Sequence, residues 1–343
     1  MITVFWNPHE RRLRMIWRLL LFITLYGIIM LTSITGLTVV LVPLLGLAGV
    51  EQAALGQHAS ISLFALVSCL ATILALWLGG VLLDRRPLSG YGLHLDRGWW
   101  LDLGFGLLLG ALLMALIFVV ELALGWITIT GTFQTTQPGQ SFVLALLSPV
   151  VLFLSVGIYE ELLTRGYLLR NLAEGLGRFG ARPAIVVAWL ISSSIFGILH
   201  AFNPNATPIS TLNLIIAGLF LGLGYVLTGQ LAISIGLHIT WNFFQGTVFG
   251  FPVSGQDFTR VGVFSIEQGG PPLWTGGAFG PEAGLMGLLT IALGSALTVG
   301  WVRWRTGQNG LQLALATYTP LTSAAVAGQG ARDGSHAADG EGA

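Results

Sequence analysis

The sequence has no lysine; all 15 of its basic residues are arginine. Charge of either sign is scarce, at 9% of 343 residues, where a soluble domain carries about 25%. That scarcity excludes a chain made mainly of soluble domains. There is one cysteine, Cys69, inside an apolar run, so an internal disulfide is excluded. No HExxH occurs, which excludes the zinc geometry built on that helix motif. No internal repeat is visible, and no cleavable signal peptide is evident: Arg11, Arg12, Arg14 and Arg18 precede an apolar run too long for one, which is expected to stay as a first helix.

What is present is hydrophobic residue, 54% of the chain, with a mean hydropathy of +0.80. A hydrocarbon core needs about 20 apolar residues per helix. The runs predict an all-α polytopic membrane protein with about eight spans, near 16–46, 61–83, 101–125, 142–164, 184–202, 209–228, 231–250 and 284–302. Eight spans place both termini on one side. With the N-terminus cytoplasmic, thirteen arginines fall on inner segments and only Arg260 on an outer loop, Arg165 being set aside at a helix end. Tryptophans near the span ends (Trp17, Trp99, Trp100, Trp126, Trp301, Trp304) suit an interfacial belt. The chain divides into N-terminal helices and an inner loop (1–100), a core (101–305) and a tail (306–343). That tail is Ala/Gly/Ser-rich and is expected to be disordered and cytoplasmic. The outer loop 251–283 is Gly/Pro-rich, and is expected either to fold over the bundle or to move. Gly106/Gly110 and Gly218/Gly222 have the spacing of close helix contacts.

Against that apolar background a few polar side chains stand out, because an ionisable group in a span costs about 2.5–3.5 kcal/mol on insertion scales. In SVGIYEELLTRGYLL, Glu161 and Arg165 are four apart and share a helical face, so they can pair. Glu160 is rotated by about 100° and lacks that arginine. This division leaves Glu160 free to act as a base, unless the cluster only marks a helix end. In SSSIFGILHAF, Phe196 and His200 are four apart; in ISIGLHITWNFF, His238 and Asn242 are. Each pair alone also fits an interface hydrogen bond or packing between helices. Convergence of all three would give a carboxylate–histidine site able to activate water and to stabilise an oxyanion. Glu160, His200 and His238 are also a possible zinc set. Glu121 and Asp102 are expected to be interface or pairing residues.

The three motifs together resemble the CPBP family of intramembrane proteases, which includes the type II CAAX prenyl proteases and bacteriocin-processing and immunity proteins. The family pattern EExxxR, FxxxH, HxxxN stands here as E160-E161-L-L-T-R165, F196-G-I-L-H200 and H238-I-T-W-N242, in order, within 150–250. RRPLSGYGLHLDRGWWLDLGFGLLLG and GGAFGPEAG also look like bacterial members. The resemblance implies an eight-helix intramembrane endopeptidase of a bacterial cytoplasmic membrane, its site open to the cytosolic side. It implies that Glu160 and His200 activate water, that His238 and Asn242 hold the oxyanion, and that Glu161, Arg165 and Phe196 support them. Membrane-associated peptides, with prenylated CaaX tails the eukaryotic case, are the implied substrates; nucleic acid is not an expected partner. No obligatory cofactor is implied, a divalent metal such as zinc being the open alternative.

Two other functions fit less of the sequence: a scaffold or immunity protein of the same fold, and a proton relay or transporter. Repeated halves and paired broken helices, the marks of many transporters, are not visible. One difficulty concerns depth. If the fourth span ends near 164 and the fifth begins near 184, Glu160 and His200 lie at opposite ends of their spans, more than about 15 Å apart at 1.5 Å per residue.

Overall fold

The computed structural model describes residues 2–47, 52–135, 139–258 and 261–318. Seven helices are long and apolar enough to cross a membrane: α1 (Met15–Leu44), α2 (Ser60–Asp84), α3 (Arg97–Ala123), α4 (Phe142–Phe179), α5 (Ala181–Phe202), α6 (Pro208–Thr228) and α8 (Leu285–Thr306). Between α6 and α8 lies α7, Ala232–Phe243 as α-helix and Phe244–Val248 as π-helix. This is the expected seventh span, shorter than 18 residues. It is buried at nearly every position from Ala232 to Trp241, so neighbouring helices and not lipid surround it. The chain is a polytopic, all-α integral membrane protein.

Several helix ends carry recognisable signals. Asp96 caps α3 by accepting from Trp99 N–H, and Thr207 and Ser210 form a capping box before α6. Gly229 and Gly307 close α6 and α8 in left-handed conformations. The central pair is α3 with α7. A Cβ on Gly106 would meet Ile233 O at 2.5 Å, and one on Gly110 would meet Leu237 O at 2.6 Å. Only glycine lets those two backbones approach so closely.

The expected end of the fourth span near 164 is corrected: α4 continues without a break to Phe179. Its later turns carry Arg170 and Glu174, charges that read as loop in isolation. They stay helical because Glu174 is neutralised by protein: Arg12 Nη2 lies at 2.8 Å, Arg86 Nη2 at 2.5 Å and Arg170 Nε at 2.9 Å. Arg18 pairs with Asp84 at 2.5 Å, and Phe22 stacks on Tyr167 at 3.5 Å, so the start of α1 is fastened to α2 and α4. Every described arginine except Arg165 belongs to this end of the bundle, hereafter the arginine end.

At the opposite end the segments between α3 and α4 and between α7 and α8 form an antiparallel ribbon. β1 (Ile127–Gln134) pairs with β2 (Gly262–Gln268), from Ile127 opposite Gln268 to Gln134 opposite Gly262. The alternation in ITITGTFQ was the available signal for this strand pair, which the helical reading passed over. The described residues of the loop 251–283 therefore do fold over the bundle. At the arginine end the first residues of the tail are packed: Leu315 is buried, Gln312 N–H donates to Val226 O (2.8 Å), and the Tyr318 ring covers Arg12 at 3.4 Å. The expectation of disorder for residues 319–343 lies outside the described residues. Asp102 is a pairing residue, with Arg305 at 2.5 Å and Trp301 Nε1 at 2.8 Å. Glu121 is fully buried, and among the described residues neither of its oxygens has a hydrogen-bond partner.

Candidate active site

The continuous α4 removes the depth mismatch. The chain reverses at Gly180, whose φ of 100° lies in the region that favours glycine. From that turn α4 and α5 run as antiparallel neighbours. Glu160 lies twenty residues before Gly180 and His200 twenty after it, which brings the two to a common depth. Both line one cavity of about 350 Å³, together with His238 and Asn242 from α7, Phe196 from α5 and Tyr159 from α4.

The α4 residues sit where the helix changes type. Glu160 and Glu161 close the α-helical part, and Leu162–Leu169 is wound as π-helix. Such segments occur often at functional sites. Arg165, inside the π segment, is fully buried. Its Nη1 donates to Glu161 Oε1 (2.8 Å) and its Nη2 to Gly218 O (2.8 Å), while its guanidinium lies 4.7 Å from the Phe196 ring centre. The expected pairing of Glu161 with Arg165 is therefore present, and Gly218 of α6 supplies a second partner for the same cation. A buried charge that lost this partner would be costly.

His238 approaches from α7. Its Nδ1 lies 2.8 Å from Glu161 Oε1 and its Nε2 3.9 Å from Glu160 Oε2. Glu161, paired with Arg165, is a hydrogen-bond acceptor, so Nδ1 carries a proton and Nε2 faces Glu160. The result is a connected row: Arg165, Glu161, His238, then Glu160 across a gap too long for a direct hydrogen bond. Glu160 accepts from Tyr159 Oη at 3.4 Å through Oε1, while Oε2 has no partner among the described residues.

His200 begins a short 3₁₀ turn, His200–Phe202, at the end of α5. Its Nδ1 lies 2.8 Å from Phe196 O, a group that can only accept, so here too Nδ1 is protonated. Phe196 stands between the histidines, 4.6 Å from the His200 ring and 6.1 Å from that of His238. The pairing differs in one respect from that implied by the resemblance: the histidine held against the α4 carboxylates is His238. Asn242 follows one turn later on α7 and faces the same cavity. Glu160, His200 and His238, the possible zinc set, face the same cavity, but no group of three or more His, Cys, Asp or Glu among the described residues is placed to hold a metal ion.

Sequence reading missed part of the cavity wall. Tyr159 was legible as the neighbour of Glu160. Asn203, Ser254 and Glu282 were not, since they belong to loops distant in the chain. Glu282 lies outside the spans and is 3% exposed; burial pushes its carboxyl up to about 7.

Residues 142–244 match the family profile described as Type II CAAX prenyl endopeptidase Rce1-like. No curated protein and no solved structure matches the chain. The matched segment runs from the start of α4 into the π turn of α7 and contains all three motifs with their spacing intact. Over that segment the chain is similar to the Rce1-like family of type II CAAX prenyl endopeptidases.

Proposed function

We propose that the protein is an intramembrane endopeptidase that hydrolyses peptide bonds of membrane-associated substrates with a water activated at Glu160. The observation that carries this reading is the row Arg165–Glu161–His238 ending 3.9 Å from Glu160, in a cavity that His200 and Asn242 also face. A gap of that length suits one water bonded to both groups. Glu160 takes a proton from it as the oxygen attacks the substrate carbonyl. His238, oriented through Nδ1 by Glu161, accepts the second hydrogen bond of the water. Asn242 Nδ2 donates to the oxyanion of the tetrahedral intermediate. The proton held by Glu160 then passes to the leaving amine, directly or through His200 Nε2, which restores the carboxylate. No step requires a metal-bound group.

The surroundings support a membrane-associated substrate. The cavity walls are mostly apolar, with Leu152, Phe153, Val156, Leu214 and Phe220 among them. Val253 and Ser254 of the ribbon-end loop roof it at the end away from the arginines. With the arginine end cytoplasmic and both termini there, this roof supports an approach from the cytosolic side or from the bilayer, as a prenylated C-terminal CaaX tail requires.

The test is cleavage of a fluorogenic prenylated C-terminal peptide by the purified protein, compared with Glu160→Ala and His238→Ala and with added chelator. Cleavage by wild type that both substitutions abolish and that chelator leaves intact is the expected result. Cleavage abolished by chelator would replace the glutamate chemistry with a metal-dependent one. A folded wild type inactive on prenylated and unprenylated peptides alike would move the protein to the scaffold reading.

A further inference from the structure

The roof of the cavity is a hairpin tip, Val253 bridged to Gln256, with Ser254 and Gly255 at its turn. Both turn residues have left-handed backbone, φ 49° at Ser254 and 80° at Gly255. For a non-glycine residue that conformation costs about 1–2 kcal/mol, so surrounding contacts must hold Ser254 there. They are on three sides. Glu282 Oε1 accepts from Ser254 N–H (2.5 Å), Asn203 Nδ2 donates to Ser254 O (2.9 Å), and Gly255 N–H donates to Phe279 O (2.7 Å). The second oxygen of Glu282 accepts from Gln245 Nε2, which also donates to Pro252 O (2.5 Å).

One carboxylate thus has two arms. Through Ser254 and Asn203 it reaches the turn that begins at His200, three residues earlier. Through Gln245 it reaches the π segment of α7, three residues after Asn242. Among the described residues, neither His200 nor Asn242 has a direct hydrogen bond to a side chain of the roof. Gly280 makes room for this junction, since a Cβ there would lie 2.7 Å from Glu282 Oε2 and 2.8 Å from Gln245 Nε2.

We infer that Glu282 is a positioning residue: it locks the Ser254–Gly255 tip over the cavity, and by its two arms fixes His200 and Asn242 relative to Glu160. Glu282 does not touch the reacting atoms. Its effect on turnover rests on the endopeptidase reading above; its effect on the roof does not.

The experiment has two readouts on the full-length protein. The first follows cleavage by Glu282→Ala and by Asn203→Ala, which severs only the His200 arm. Misplacement of reacting groups by about 1 Å can cost about 100-fold. The expected result is a fall in kcat of about 10–100-fold for Glu282→Ala and a smaller one for Asn203→Ala, with KM changed less than about threefold. The second readout needs no activity. In a Cys69→Ala background, Leu214→Cys puts a thiol in the cavity wall, and its reaction with a water-soluble maleimide is timed with and without Glu282→Ala. Labelling at least about tenfold faster without the carboxylate is expected. A monodisperse Glu282→Ala protein with wild-type labelling and wild-type kcat overturns the proposal. Faster labelling with unchanged kcat reduces Glu282 to a roof contact and overturns the positioning role. Lower kcat with unchanged labelling overturns the tip as the route. If wild type cleaves nothing, the endopeptidase reading fails by itself and the labelling alone decides the lock. If Glu282→Ala does not fold, Gln245→Ala, which cuts the α7 arm alone, replaces it in both readouts.

Discussion

Glu160 and Glu161 are neighbours in the chain with opposite surroundings: Glu161 is fully buried, its Oε1 held between Arg165 and His238, while Glu160 lines the cavity with no ion pair closer than 3.9 Å among the described residues. The two carboxylates should therefore fail differently. Glu160→Gln leaves every ion pair closer than 3 Å intact. Its thermal midpoint is expected within about 2 °C of wild type, a surface-like change of under 0.5 kcal/mol, while cleavage falls by about 10²–10⁴, the usual worth of a general base. A thermal scan beside a peptide assay checks both halves.

Glu161 and Arg165 carry the converse expectation. Arg165→Met leaves Glu161 buried with only His238 beside it, and removal of one member of a buried pair costs about 3–5 kcal/mol. The variant is expected to lose most of its folded yield in detergent. Arg165→Lys is expected to fail as well, because one ammonium cannot reach Glu161 Oε1 and Gly218 O from the guanidinium's place with the same geometry. Size-exclusion profiles at matched expression measure this.

His238 is expected to carry a proton on Nδ1, where Glu161 accepts it. Nitrogen-15 spectra of imidazole-labelled protein should show a protonated Nδ1, and Glu161→Gln should disturb that assignment. A spectrum with the proton on Nε2 would remove His238 as acceptor for the water.

The α3–α7 contact ties stability to the site. Gly110→Val places side-chain atoms where Leu237 O and Thr240 Oγ1 already are, one residue from His238 on that face. It is expected to cost more than about 3 kcal/mol, since Leu237 O and Trp241 N belong to the α7 backbone and cannot move aside. Gly104→Ala, on the same helix with open space around it, is expected to be neutral. Paired thermal scans of the two variants separate packing from any general sensitivity of α3.

Glu282 supplies a pH dependence. Its carboxyl, raised by burial from 4.5 to about 7, binds more protons folded than unfolded between those values. Stability from this group is therefore present at low pH and declines as pH rises from about 4.5 to 7. The difference in thermal midpoint between wild type and Glu282→Gln is expected to move against wild type over that window. A flat difference would show that the carboxyl titrates at its ordinary value.

The motifs were legible because membranes make polar residues conspicuous: Glu160, His200, His238 and Asn242 stand in apolar runs, and their i, i+4 spacing identifies faces. The pairing of Glu161 with Arg165 followed from the same spacing. Less legible was the extent of α4. Arg170 and Glu174 look like loop residues until Arg12 and Arg86, each more than 80 residues from Glu174 in sequence, are seen to join Arg170 in neutralising it. The roof was hidden for a related reason: Asn203, Ser254 and Glu282 meet only through loop geometry, which no periodicity encodes. That His238 and not His200 leans on the glutamates depends on the rotation of α7 against α4, set by contacts such as Ile239 against Gly157.

The equal arms that α4 and α5 extend from Gly180 set a rule for length. Deleting one residue from either arm would turn everything beyond it by about 100° and draw it back 1.5 Å. Glu160 would then face lipid or a neighbouring helix, even though every motif letter was retained. Between Glu160 and His200 the chain can change its letters far more freely than its count, and a relative with all three motifs but an altered interval would have to be read as a different site.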